Sequence, residues 1–320
     1  MPVSEFTLIE KYFNRQINGD SAPSVILGIG DDAAVLKVPQ KHQLVVTIDT
    51  LIAGRHFPDS TPARDIAYKA LAVNVSDLAA MAATPAYFVL SLALPESDEA
   101  FLKQFSDGLF EAADEFNIHL IGGDTCRGPL SITIQASGYV PDDGYITRSG
   151  AKPGDHIMVS GKLGAAAVGL ASKTGEIELE PALKLQALES LNRPRPRIDL
   201  IPTLREYASS AIDLSDGLVG DLAHILEKSQ VGARVQQDFI PVFEWVKQNN
   251  AYTYALIGGD DYELLFTVPE ERVTALMQSV SNLKLDISDI GVITEQGYWL
   301  HNQGGPTDLS SKQGFDHFGS

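Results

Sequence analysis

The sequence predicts a two-domain α/β protein, and three observations predict it. At 320 residues the chain exceeds the usual size of one domain and is long enough to bury a large core. Strand-like and helix-like segments alternate along its length. Near the middle, RSGAKPGD at 148–155 gathers glycine, proline and charge, the composition of a linker. The expected domains are therefore 1–150 and 151–320.

The opening stretch, MPVSEFTLIEKYF, has helical spacing and early acids, so a helix is expected over 4–15. β-Branched and aromatic runs bounded by turn residues predict strands at 24–28, 44–49, 86–93, 118–122 and 130–140. Helices are expected over 64–82 and 98–116; the first is apolar all round and should be buried. The second half restarts with the strand HIMVSG and a small-residue helix near 164–172. SSAIDLSD reads as a strand running into a helix over 216–228, and YELLFTV as a strand before a helix over 269–280. RPRPR at 193–197 is a stiff loop, and the tail after 302 is expected to be partly irregular. LIGGDT at 120–125 and LIGGDD at 256–261 echo each other, as chance or two related halves would allow.

Composition narrows the function. With 44% hydrophobic and 21% charged residues the chain is an ordinary globular one. No apolar run approaches the roughly 20 residues that span a bilayer, and the start lacks a signal-peptide pattern, so a cytoplasmic protein without a membrane partner is expected. The single cysteine, Cys126, excludes a disulfide framework and a thiolate zinc cluster. A net charge of −18 argues against nucleic acid, whose phosphates need Lys and Arg.

Where the acids fall is more informative. LGIGDDAAVL at 27–36 spells G-x-G-x-x-A after a strand, the fingerprint of a dinucleotide turn, yet Asp31 and Asp32 fill the place of the pyrophosphate. A cofactor cradle, a plain tight turn and a cation site all fit. Further aspartates lie in apolar or small-residue settings: Asp49, Asp77, Asp124, Asp213, Asp216, Asp260 and Asp261, with Glu263. Singly each reads as a turn or N-cap residue, Asp216 and Asp65 especially. As a set they read differently. Two unit charges about 4 Å apart repel by about 4 kcal/mol at an effective dielectric near 20, so converging carboxylates take up protons or share cations. Oxygen ligands without Cys or His favour Mg²⁺, Mn²⁺ or Ca²⁺, and Mg²⁺ completes its shell with water and substrate phosphates. Neither a P-loop nor the protein-kinase motif set occurs. Arg127 and Arg148 are candidate phosphate contacts; Arg193, Arg195 and Arg197 read as that or as a solvated loop.

GIGDDAAVL, TIDTLIAGRHF, YKALAVNVSDLAAM, IGGDT, TRSGAKPGD, AIDLSDGL and GGDDYELLF, in this order and over nearly the whole chain, resemble the thiamine-monophosphate kinase family. The wider group includes aminoimidazole ribonucleotide synthetase and selenophosphate synthetase. The resemblance implies that group's two-domain fold. An N-terminal mixed sheet with helices would bind ATP and Mg²⁺ and form a barrel across a homodimer; a C-terminal α/β sandwich would complete the substrate cleft. It implies ATP-dependent phosphorylation of thiamine monophosphate to thiamine diphosphate, by direct in-line transfer. Carried over by position, Asp32, Asp49, Asp77, Asp124, Asp213 and Asp216 are implied metal ligands, with Thr47 assisting. Gly123, Asp124, Arg148 and Ser215 are the implied ATP contacts, and His56, Glu263 and Phe315 the implied thiamine monophosphate contacts. Asp49, Asp124, Arg148, Asp213 and Asp216 would carry the transfer. Ile48 stands where the family carries a hydroxyl residue, so a backbone carbonyl or water would take that ligand place. Asp260 replaces the family's glutamate in GGED. The competing readings are an ATP-using relative of the same fold and a non-catalytic nucleotide- or metal-binding regulator.

Overall fold

The structure, a computed structural model, describes residues 5–15 and 23–310. The chain forms two units. One comprises the residues up to Leu78 with Ala83–Gly144, the other Ala79–Ala82 with the residues from Tyr145 onward. The second therefore starts within the loop before RSGAKPGD and takes in the end of the long buried helix.

The first unit opens with α1 (Glu5–Leu8), continued by a π-helical turn over Ile9–Phe13. β1 (Val25–Leu27) and β2 (Val35–Leu36) form a small antiparallel hairpin. The remaining elements are β3 (His42–Ile52), α2 (Ala63–Ala80), β4 (Thr84–Leu94), α3 (Glu99–Glu115), β5 (His119–Arg127) and β6 (Ser131–Pro141). β3 to β6 make a mixed sheet in the order β3-β6-β4-β5, parallel only between β4 and β5. Phe88 and Leu92 of β4, Ile132 and Ile134 of β6, Leu71 and Leu78 of α2 and Phe105 and Leu109 of α3 are fully buried and form its core. Asp98 caps α3 through the backbone N–H groups of Ala100 and Phe101. Asp65, expected as a cap, instead lies in the first turn of α2.

The second unit contains β7 (His156–Ser160), α4 (Ala165–Thr174), α5 (Pro181–Asn192), α6 (Ile201–Tyr207), β8 (Ser210–Asp213), α7 (Leu218–Ser229) and β9 (Gly232–Gln236). Then come α8 (Glu244–Gln248), α9 (Thr253–Leu256), β10 (Leu264–Val268), α10 (Glu270–Val280), β11 (Ile287–Thr294), β12 (Tyr298–Asn302) and β13 (Gly305–Asp308). The sheet order is β13-β12-β9-β11-β7-β10-β8, with only β9 and β12 parallel. Alternate strand residues feed two cores. Ile157, Val159 and Leu265 pack with Leu218, Leu222 and Ile225 of α7, whereas Met158, Leu264 and Phe266 pack with Leu204 of α6 and Leu276 of α10. Both faces are covered, which is why HIMVSG and YELLFTV read as continuous apolar runs rather than alternating ones. In the tail after 302, expected to be partly irregular, Gly305–Asp308 forms β13 and pairs with β12, and 311–320 lie outside the described residues.

Candidate active site

In the first unit two groups of acids form, and strand geometry keeps them separate. The GIGDDAAVL segment runs from β1 into β2, strand to strand. A dinucleotide turn needs a helix N-terminus behind it, so that reading falls. The hairpin instead faces a cleft of about 950 Å³, lined by Gly28, Gly30, Asp31 and Asp32 from one side and Gly123 and Asp124 from the other. Asp31 accepts a hydrogen bond from the Asp32 backbone N–H at 2.9 Å, and both side chains are exposed. Gly123 is required by packing: a Cβ there would lie 1.9 Å from the Leu90 carbonyl oxygen of the adjacent strand.

The second group lies on β3 and α2. Burial alternates along β3, with Thr47, Asp49 and Leu51 on the covered face and Leu44, Val46, Ile48 and Ile52 on the exposed one. Thr47 Oγ1 donates to Asp77 Oδ2 at 2.5 Å, tying the strand to the last turn of α2. That contact explains an aspartate inside a buried helix, where propensity disfavours it. Ile48 is 62% exposed and points away from Thr47 and Asp49, so its side chain lies outside this group altogether. Asp49 and Asp124 occupy the two edge strands of the sheet. Asp49 pairs with Ile134, Ile134 with Leu90 and Leu90 with Gly123. Three strand spacings separate them, roughly 14 Å. Both strands run past their acids, where the sequence suggested they would end; pairing with β6 and β4 continues through them.

His56 follows β3 in a tight turn. Its Nδ1 accepts the Ile52 backbone N–H at 3.0 Å, which in the neutral ring leaves the proton on Nε2. Among the described residues, no group of three or more His, Cys, Asp and Glu side chains could hold a metal ion.

In the second unit, Asp213 ends β8 and is buried. The loop after it is laced to the IGGDDYE loop by backbone bonds: Asp260 N–H to Ser215 O at 2.9 Å, Tyr262 N–H to Leu214 O at 2.8 Å and Leu214 N–H to Glu263 O at 2.8 Å. Asp260 and Tyr262 both adopt positive φ, +69° and +49°. Aspartate tolerates that conformation better than most residues, which suits Asp260 to this position.

Asp216 is not the expected cap; Gly217 occupies the N-cap position of α7 without a side-chain bond. The Asp216 N–H donates instead to Asp221 Oδ2 at 3.0 Å. Asp221 was hidden in the sequence as one more helical acid in GLVGDLAHIL. Its carboxyl is 2% exposed. Burial, then the charge of Asp216, pushes it up to about 7, against the backbone N–H groups of Asp216 and Ser215 and the nearby Arg148 charge. The structure thus brings Arg148, Ser215, Asp216 and Asp221 to one neighbourhood. Because the folded state binds this proton more tightly than the unfolded one, the stabilisation is complete below about pH 4 and is lost as pH rises towards 7. The metal-free protein is expected to lose melting temperature across that interval, and Asp221→Asn to flatten the slope; unfolding scans at stepped pH measure both.

Glu263 is buried and ion-paired with Arg197 through two contacts, so the RPRPR loop is not a freely solvated one. Asp261 accepts the Gly164 N–H at the start of α4, at 2.8 and 3.0 Å. Desolvation, opposed by that bond, raises its carboxyl well above the ordinary range. Phe315 lies outside the described residues.

Known families match both units. Residues 30–140 match the AIR synthase related protein N-terminal domain, and residues 152–299 the corresponding C-terminal domain. The fold and these two matches define an AIR synthase-related protein. Within that class the similarity is full length. Thiamine-monophosphate kinase of Escherichia coli (strain K12) is 47% identical over 326 residues, 99% of each chain. The crystal structure of thiamine-monophosphate kinase from Stenotrophomonas maltophilia K279a is 44% identical, with a TM-score of 0.81 over 87% of this chain and 91% of that one. AaThiL complexed with AMPPCP and TMP is 31% identical, with a TM-score of 0.77 over 88% and 89%. The chain belongs to the thiamine-monophosphate kinase family of phosphotransferases.

Proposed function

We propose that the protein transfers the γ-phosphoryl group of ATP to the phosphate of thiamine monophosphate, giving thiamine diphosphate and ADP. The observation that carries this reading is the cleft of the first unit, where the glycine–aspartate turn at Gly30–Asp32 faces the glycine–aspartate pair of β5, about ninety residues on. A polyphosphate fits such a lining only with divalent cations between it and Asp31, Asp32 and Asp124. The complex of AaThiL with AMPPCP, the methylene analogue of ATP, and TMP supports both substrates.

The donor set suits Mg²⁺. It is all oxygen, and the Thr47–Asp77 contact sets a hydroxyl beside a carboxylate, as hard-ion ligation needs. A close cluster of three acids is not required, because Mg²⁺ is usually held by one or two carboxylates and otherwise by water and phosphate. Several ions are proposed: Asp32, Asp49, Asp77 and Asp124, with Thr47, would be ligands on the first unit, and Asp213 and Asp216 on the second. When bound, the ions would supply charge neutralisation at the transferred group.

The chain's own residues then position the reactants. Gly123 lets the nucleotide phosphates approach the backbone of β5, and Arg148 and Ser215 contact them. His56 Nε2–H and Glu263 hold the acceptor. A phosphate monoester is already ionised near neutral pH, its second pKa being about 6, so an acceptor oxygen attacks the γ-phosphorus in line without a general base. The bond to the bridging oxygen breaks and ADP leaves with that electron pair.

Homodimerisation is part of this proposal. β3 is an eleven-residue edge strand whose outer face exposes Val46 at 54% and Ile48 at 62%, with Leu44 and Ile52. A long apolar edge of this kind is a pairing surface. Setting β3 of one sheet against β5 of its partner would bring Asp49 of one protomer towards Asp124 of the other, which one protomer alone holds apart. Chromatographic assay with ATP, Mg²⁺ and thiamine monophosphate is the test. Thiamine diphosphate and ADP are expected in equal amounts, with loss of both on adding EDTA. ADP release with formylglycinamidine ribonucleotide instead would favour the synthetase-like alternative, and ATP binding without turnover the regulator.

A further inference from the structure

Glu263 is held in the second unit by more groups than a surface carboxylate needs. Arg197 Nε donates to Oε2 at 2.5 Å, and Arg197 Nη2 donates to Oε1. Ser160 Oγ donates to Oε2 at 2.6 Å. The serine hydroxyl is itself fixed, because Oγ accepts the Leu264 backbone N–H at 2.9 Å, leaving its single proton for Glu263. Residue 161 completes the seat. Gly161 has φ +59°, and a Cβ there would fall 2.0 Å from Glu263 Oε1. Arg197 is presented by a loop with Pro194 and Pro196, whose fixed φ limits its freedom.

This carboxylate lines a pocket of about 260 Å³ together with Lys162, Arg193, Arg197 and Asp261. A carboxylate offers about four acceptor positions, and three are occupied here. The one that remains is on Oε1. Every side-chain hydrogen bond to this carboxylate is donated to it, by the arginine fork and by the serine hydroxyl, so it serves here as an acceptor.

We propose that Arg197 and Ser160 are positioning residues that present Glu263 to the substrate as an acceptor with a single open position, matched to an N–H donor such as the exocyclic amine of an aminopyrimidine. The inference rests on the thiamine monophosphate reading above and adds to it a determinant of specificity. A site built to accept an N–H rejects an analogue carrying a carbonyl there, because acceptor would face acceptor.

The test is steady-state kinetics on the full-length protein with thiamine monophosphate and its 4-oxo analogue, oxythiamine monophosphate. Arg197→Met should raise KM for thiamine monophosphate about tenfold or more and lower the preference for amine over oxo by a similar factor. KM for ATP should stay within about twofold, since the nucleotide makes no use of this pocket in the proposal. Arg197→Lys, a point charge without the fork, should recover part of the loss. Ser160→Ala, a milder change, should raise KM for thiamine monophosphate alone by severalfold and carries the test if Arg197→Met does not fold. An ion pair with only a structural role would lower the melting temperature and leave both KM values and the preference unchanged; that result, or equal rises in both KM values, overturns the inference. Wild-type protein inactive on thiamine monophosphate would overturn the functional reading itself, and this inference with it.

Discussion

Asp49→Asn and Asp124→Asn are each expected to lower kcat by about 10³-fold or more while the melting temperature barely moves. The substitution keeps the shape of the side chain and removes its charge, so it isolates what the charge does. Asp124 is exposed, and Asp49 is only half covered at the edge of its sheet. Neither belongs to the packed core, and surface changes of this kind usually stay within about 0.5 kcal/mol. The transfer is another matter. In the proposed mechanism the nucleophile is the substrate's own phosphate oxygen and no side chain acts as nucleophile or general base, so the whole rate enhancement lies in positioning and in offsetting charge on the transferred group. An amide binds a divalent cation far less well than a carboxylate. Turnover near the wild-type rate in either variant, measured at saturating ATP and Mg²⁺, would exclude that residue from the transfer.

The sequence made much of this legible, because the acids contradict their surroundings. Asp77 in a buried helix and Asp49 in an apolar strand stand out, and the Thr47 contact accounts for the first of them. The apolar runs HIMVSG and YELLFTV likewise announced strands covered on both faces. What stayed hidden depends on direction or on distant partners. A fingerprint such as G-x-G-x-x-A does not state whether a helix or a strand follows, and here β2 follows. Period-two alternation puts the Ile48 side chain on the opposite face from Thr47 and Asp49, a direction that motif spacing alone does not give. Asp221 gave no signal, while Asp261 and Arg197 stood out only as acids and cations. The partners of these last two, Gly164 and Glu263, are joined to them only by the fold. The Pro-flanked arginines looked like a solvated loop because sequence shows charge but not burial.

A dimer carrying Asp49→Asn in one protomer and Asp124→Asn in its partner is expected to recover about half the wild-type activity, although each variant alone is inactive. The expectation follows from the sheet order. Asp49 is on β3 and Asp124 on β5, at opposite edges, roughly three strand spacings apart. Carboxylates that share a cation lie far closer, given Mg–oxygen distances of about 2.1 Å. The acids lining the first-unit cleft likewise include Asp124 and exclude Asp49. If each site takes Asp49 from one protomer and Asp124 from the other, the mixed dimer has one site with both substitutions and one with neither. If each site is built within a single protomer, every site carries one substitution and the mixture stays inactive. Co-expression with two affinity tags and sequential purification isolates the mixed species. Adding Val46→Glu and Ile48→Glu to both chains supplies the control: charge on the exposed apolar face of β3 should abolish dimerisation, read by light scattering, and with it the recovered activity. A monomeric but fully active protein would show that the exposed face of β3 has no part in the site.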